Sequence, residues 1–186
     1  LYKSIKRSWF KSKLSKKESR PANMDSIEER TKGIEIGTIQ LADGKTLTVL
    51  DFAGQMEYYV SHEMFMSPEN CLFAIVVNLT DTRVARESEL MFWLRFLRAR
   101  FGDAEEPRDR PRLLIVGSHA DDPRAISLDA FQMESIEVAQ SFGASVTLVG
   151  DCVFRMDCRA SQSGELKRLR AVLEREGSSL MARQPK

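Results

Sequence analysis

Hydrophobic and polar positions follow two rhythms along this chain, and each predicts a different kind of element. Ile34 to Leu41 and Lys45 to Leu50 alternate as strands do, with Ala42-Asp43-Gly44 between them. The Asp-Gly pair is a turn signal, so the spacing predicts an antiparallel hairpin. Cys71-Leu72-Phe73-Ala74-Ile75-Val76-Val77 and Leu113-Leu114-Ile115-Val116-Gly117 are continuous apolar runs, the mark of strands covered on both faces. Val153 to Asp157 is expected as the last strand. Helical spacing appears over Glu87 to Phe101, with Leu90, Met91, Trp93, Leu94 and Leu97 on its apolar side, and again from Ser127 or Leu128 to Phe142. It returns from Gly164 to about Met181. Residues 55 to 66 are expected as a short helix or loop ended by Pro68, and Asn78 to Arg83 and Gly102 to Arg112 as loops.

Strands that alternate with helices predict an α/β layered sheet. A chain of 186 residues that is 42% hydrophobic has the size and core material of one ordinary domain. No apolar run reaches the ~20 residues of a membrane span, and no signal peptide opens the chain. Cys71, Cys152 and Cys158 show no CxxC spacing and are expected as reduced thiols in the cytoplasm. His62 and His119 alone do not make a zinc site.

The net charge of +1 hides an uneven distribution. Residues 1 to 20 carry eight basic side chains against the single acid Glu18, which leaves the rest of the chain negative. Leu1, Ile5, Trp9 and Leu14 recur near helical spacing, so the lysines are expected as the wet face of a helix over 1 to about 17 that runs into a polar loop through Arg30. Aromatic residues do not interleave with them as in a single-strand stacking platform, so nucleic acid is not an expected partner. Peripheral contact with an anionic membrane is open on charge alone.

Candidate chemistry gathers at strand ends. Asp51-Phe52-Ala53-Gly54-Gln55 comes after the apolar run Leu47-Thr48-Val49-Leu50, and Ser118-His119-Ala120-Asp121 after Leu113 to Gly117. Ligand sites of open parallel sheets lie outside the carboxyl ends of the strands, so both strings point to one crevice. Read plainly, Asp and Gly are turn formers, and Ser118 or Asp121-Asp122-Pro123 would also suit a helix N-cap.

With Thr31-Lys32-Gly33 ahead of the hairpin and Cys158-Arg159-Ala160 after the last strand, the order of strings resembles that of Ras-like small GTPases. Within them it looks like the Roc (Ras of complex proteins) domain of Roco proteins. Thr31 resembles the first switch, Asp51 to Gln55 the second, Ser118 to Asp121 the guanine-specificity loop, and Cys158-Arg159-Ala160 the last base-contacting loop. The specificity loop departs from Asn-Lys-x-Asp toward the Thr-His-x-Asp of Roc domains, with a serine that keeps the hydroxyl. This resemblance implies a Ras-like P-loop NTPase fold, a three-layer sandwich whose mostly parallel sheet has one antiparallel edge strand. It implies GTP or GDP with Mg²⁺ as ligands, Thr31 and Asp51 toward the metal, and Gly54 toward the γ-phosphate. Ser118, His119, Asp121, Cys158 and Arg159 would serve the base. Gln55 would orient the attacking water. Arg30, beside the first switch, is expected as a solvated loop cation.

One expected string is missing. No GxxxxGK[ST] occurs in the sequence, although a P-loop cradles the α- and β-phosphates through that string. Leu1 to Ile5 resembles the helix that comes after a P-loop, so the expectation is an N-terminal truncation with the first strand and the phosphate cradle just before Leu1. A chain so cut is expected to bind nucleotide weakly or not at all. The whole of 1–186 is expected as one Ras-like domain, with 1–30 a basic helix remnant and loop and 31–186 running from the first switch to the closing helix. Two functions are compatible with this. One is a slow GTPase switch in a Roco-type signalling protein, beside a COR domain and in a possible homodimer. The other is a non-hydrolysing scaffold or dimerisation module.

Overall fold

The computed structural model describes residues 34–41, 44, 46–52, 71–157, 159–160 and 163–182. The expected basic helix over 1 to 17, the loop through Arg30, Thr31, and the 55–66 segment lie outside them. The chain divides into two compact units, Leu1–Phe65 and Met66–Lys186.

In the first unit, β1 (Ile34–Gln40) and β2 (Thr46–Phe52) form the expected antiparallel hairpin. The turn closes through Gly44, whose φ of 82° is open to glycine and costly for other residues, and whose N–H donates to the Leu41 carbonyl at 3.1 Å. Pairing continues past Leu50, so Asp51 lies inside β2 opposite Glu35 rather than just beyond the strand. Alternation does its expected work on β1: Ile39 is buried while Thr38 and Gln40 are exposed.

The second unit is a three-layer α/β sandwich. Its sheet has the order β3 (Leu72–Asn78), β4 (Arg112–Ser118), β5 (Thr147–Arg155), with every described pair parallel. Parallel neighbours need crossovers, and the helices α1 (Arg83–Phe101) and α2 (Leu128–Gln140) supply them. Both pack with Leu113, Ile115, Ile75, Val77 and Val153 in one core. The helix α3 (Gly164–Met181) covers the opposite face. There Arg168 lays its guanidinium 4.6 Å from the Phe154 ring centroid, and Arg112 Nη1 donates to Ser179 Oγ at 3.2 Å. From Leu113 to Val116, β4 is dry on both sides, as its unbroken apolar run predicts.

Several elements depart from expectation. The helix α1 begins four residues before Glu87, because Thr82 caps it by accepting from Ala85 N at 3.3 Å. Its first turn gave no apolar signal: Val84 is exposed, and the buried member of that turn is Arg86. Arg86 is held by paired bonds of 3.0 and 2.9 Å to the Glu134 carboxylate on α2 and by the Asp81 carbonyl. The strand β5 starts at Thr147 rather than Val153. Gly150-Asp151 interrupts its apolar run, and the register jumps there, Leu113 facing Leu148 but Ile115 facing Val153. On β3 only Ile75 and Val77 are buried, with Ala74 and Val76 exposed, so it alternates where full burial was expected. Within the loop expected from Gly102 to Arg112, Pro107–Asp109 forms one 3₁₀ turn. The Phe92, Trp93 and Phe96 rings of α1 meet edge to face at 5.3 and 5.8 Å, and Phe92 is partly exposed.

Gly117 sits where the sheet is tightest. A Cβ there would lie 2.9 Å from Phe131 Cε1 and nearer still to Leu79. Gly117→Ala is therefore expected to cost about 1–3 kcal/mol through overpacking. Gly164→Ala, in open space at the start of α3, should be neutral or stabilise by up to about 1 kcal/mol. Chemical denaturation of both variants checks the contrast. In the same assay Glu134→Ala should lose about 3–5 kcal/mol, since it leaves the buried Arg86 guanidinium without its counter-ion.

Candidate functional site

At the carboxyl ends of β3, β4 and β5 three loops leave the sheet side by side and are stitched together by backbone hydrogen bonds. Leu79 N donates to Ser118 O at 3.2 Å, and Ile126 N donates back to Leu79 O at 3.3 Å. Met156 N donates to Gly117 O at 2.7 Å, and Ala120 N to Met156 O at 3.1 Å. Arg155 Nε reaches the Ile126 carbonyl at 2.9 Å. The loop after β4 is thereby fixed on both flanks.

Within that loop, Ser118 Oγ lies 3.2 Å from the Val77 carbonyl and 3.0 Å from His119 Nδ1. A hydroxyl has one hydrogen; given to Val77, it leaves the oxygen to accept from an Nδ1–H of His119. His119 itself adopts φ 59°, the left-handed region, and is the one non-glycine residue described that does so. Such a conformation costs on the order of 1 kcal/mol and persists where surrounding bonds enforce it. Here it turns the chain so that the Ala120 N–H meets the Met156 carbonyl. Asp122 N then donates to His119 O at 3.1 Å, and Ala125 N to Asp122 O at 2.9 Å. The nearby helix cap is Ser127, which accepts from Ala130 N at 3.3 Å, so neither Ser118 nor Asp121 is spent as an N-cap.

Asp121 pairs across the loops with Arg159, the Nη2 group meeting Oδ2. Arg159 is anchored in turn by its own N–H on Asp157 Oδ1 at 2.8 Å, with its Nε 3.7 Å from the same oxygen. The Asp121 side chain is 27% exposed, although the residue as a whole is exposed, whereas the Arg159 side chain is 77% exposed. Next to them Arg124 grips Asp122 through its N–H, Nε and Nη2 at 2.8, 3.0 and 2.8 Å. Those bonds pull the Asp122 carboxyl down to about 2.

Of the residues singled out from sequence, the structure brings Ser118, His119, Asp121 and Arg159 into one cluster. Asp51 belongs to the other unit, half-buried on β2. Thr31, Gly54, Gln55 and Cys158 lie outside the described residues. Among the described residues no three His, Cys, Asp or Glu side chains converge as a metal site. Sequence reasoning missed Asn78 and Asp157. Asn78 closes the end of β3 by accepting at Oδ1 from Thr80 N at 3.0 Å and Thr80 Oγ1 at 2.9 Å, and Asp157 orients Arg159. Asn78 is the last residue of β3 and Asp157 lies two residues past β5, Asx positions that are a legible signal for such turns.

The fold that carries this cluster is that of the small GTPases. The small GTPase Arl6 (BBS3) from Trypanosoma brucei, solved with the nucleotide analogue GppNp, matches with a TM-score of 0.59 at 16% identity, over 95% of this chain and 92% of that one. No protein-family model matches the chain. Its sequence relatives include Roco kinases and a Roc-COR protein. The probable serine/threonine-protein kinase roco6 of Dictyostelium discoideum is 35% identical over 77 residues, 41% of this chain and 3% of that protein. Protein TORNADO 1 of Arabidopsis thaliana is 28% identical over 156 residues, 75% of this chain and 11% of its own. A Roc-COR-CHAT protease from an unknown prokaryotic organism is 29% identical over 110 residues, 57% of this chain and 10% of its own. The chain thus spans a small part of each relative's length. Fold and relatives together bear out the resemblance to a Roc-type, Ras-like GTPase domain.

The grip of Arg124 on Asp122 makes a pH prediction. Because the folded carboxyl titrates below its ordinary 3.8, its contribution to the turn is complete above that value and fades as pH falls toward about 2. An NMR titration of the Asp122 side-chain carboxyl should have its midpoint near 2, and Arg124→Ala should move it back toward 3.8.

Proposed function

We propose that this chain is the guanine-nucleotide-binding domain of a Roco-type multidomain signalling protein in the cytoplasm, binding GTP and GDP and hydrolysing GTP slowly. The observation that carries the reading is the half-buried Asp121 carboxylate, held at the ends of β4 and β5 by backbone bonds and paired with a group that presents N–H donors. Guanine offers N1–H and N2–H₂ on one edge, a pattern adenine lacks, and a site built around such donors rejects the base without them. Asp121 accepts that edge. His119 stands beside it with a flat ring in a fixed backbone conformation, and Ser118 locks the loop to β3. Cys158 and Arg159 are the residues assigned to the base from the β5 side.

For the phosphates, Thr31 and Asp51 would hold Mg²⁺, Gly54 would offer its N–H to the γ-phosphate, and Gln55 would orient the attacking water. The metal, when bound, neutralises charge on the phosphate oxygens. Switch segments of this kind order around the γ-phosphate and release after hydrolysis, which signals to an adjoining COR-type domain and a second copy. The second reading is a scaffold or dimerisation module that turns nothing over, and a longer natural protein without a GxxxxGK[ST] string ahead of Leu1 would favour it. Among the described residues no helix is long and apolar enough to cross a membrane.

The deciding experiment is a fluorescence titration of mant-GDP and mant-GTP, with ADP and ATP as competitors, into the longest natural protein that contains this chain. Micromolar or tighter binding that adenine nucleotides do not displace is the expected result. Asp121→Asn should weaken it about 10–100-fold, the worth of hydrogen bonds to a charged group. A well-folded protein that binds neither nucleotide would leave the scaffold reading.

A further inference from the structure

Arg159 stands in the place that the proposed ligand needs. Its guanidinium carries N–H and NH₂ groups on one carbon, the same donor array that guanine presents from N1 and N2. One of those NH₂ groups already rests on Asp121 Oδ2. The side chain is not a buried strut: at 77% exposed it packs into no core, and it is steered onto Asp121 by Asp157. Asp121 is therefore offered a donor from inside the chain whenever no base is present. By contrast, the buried arginine described in this unit, Arg86, is enclosed between two helices and has no ligand to yield to.

We propose that Arg159 is an internal competitor for guanine, a gate that occupies the specificity carboxylate in the empty domain and must swing into solvent before the base binds. The proposal rests on the guanine-nucleotide reading above and adds a regulatory residue to it. The gate has three physical consequences. It keeps a half-buried carboxylate paired when the site is empty, which holds the loops after β4 and β5 closed on each other. It taxes nucleotide affinity by the worth of one exposed ion pair, a factor of about two to five. It makes that tax dependent on salt, because an exposed pair is screened. Displaced, Arg159 can remain attached by its own N–H to Asp157, so the loop keeps its shape as the side chain leaves.

The test is a mant-GDP titration of the longest natural protein containing this chain, as wild type, Arg159→Ala, Asp121→Asn and the double variant, each at low salt and at about 0.5 M salt. Melting curves confirm that the folded state survives a change at an exposed side chain. Arg159→Ala is expected to bind GDP about two- to fivefold tighter than wild type at low salt. The difference should shrink at high salt, and it should vanish in the Asp121→Asn background. Equal or weaker binding by Arg159→Ala, with wild type binding normally, overturns the gate and leaves the nucleotide reading standing. An advantage that survives in Asp121→Asn also overturns it. Absence of binding by all four folded proteins overturns the gate and the nucleotide reading together.

Discussion

The strand β4 has to stay dry on both faces, and the rest of the second unit is arranged to keep it so. Leu113 and Ile115 pack with α1 and α2, and Leu114 and Val116 are buried on the alternate face, so the strand has no polar side to offer water. The same crowding dictates glycine at 117, where Leu79 and Phe131 have taken the space that a side chain would use. The functional cluster begins at the next residue, Ser118. The site loop is thus launched from the least adjustable point of the sheet, which is why a few backbone bonds suffice to aim it.

Charge does a second kind of structural work. Arg86 with Glu134 joins the two helices on one face, and Arg112 with Glu176 fixes α3 to the start of β4 on the other. Buried pairs of this type give little net stability over well-packed apolar residues, yet losing one partner is costly. They set how each helix is placed more than whether it packs. Arg86 also grips the Asp81 carbonyl, so a helix-to-helix bridge reaches the loop that leaves β3.

Much of the fold could be read from the chain because burial imposes a visible pattern. The unbroken run of β4, the alternating hairpin and the closing helix from Gly164 to Met181 were legible within two residues. Where the pattern lapsed, so did the reading. The first turn of α1 buries an arginine instead of a leucine, and β5 crosses its register jump through Gly150 and Asp151. Ser118, His119, Asp121 and Arg159 were named from their strings, but their contacts were not legible. A left-handed histidine carries no compositional mark, and the pairing of Asp121 with Arg159 joins residues far apart in sequence through loops whose approach only the sheet determines.

The stitching of the three loops has a dynamic meaning. Loops at ligand sites usually belong to the least protected part of a protein, opening locally at little cost. Here the amides of Leu79, Ala120, Ile126 and Met156 all end on carbonyls of neighbouring loops, or on the end of β4. None of these segments can lift away without breaking a bond held by another. The loop end of the second unit should therefore open as a single cooperative body together with the sheet, its amide protons exchanging on the timescale of the core rather than of a surface loop.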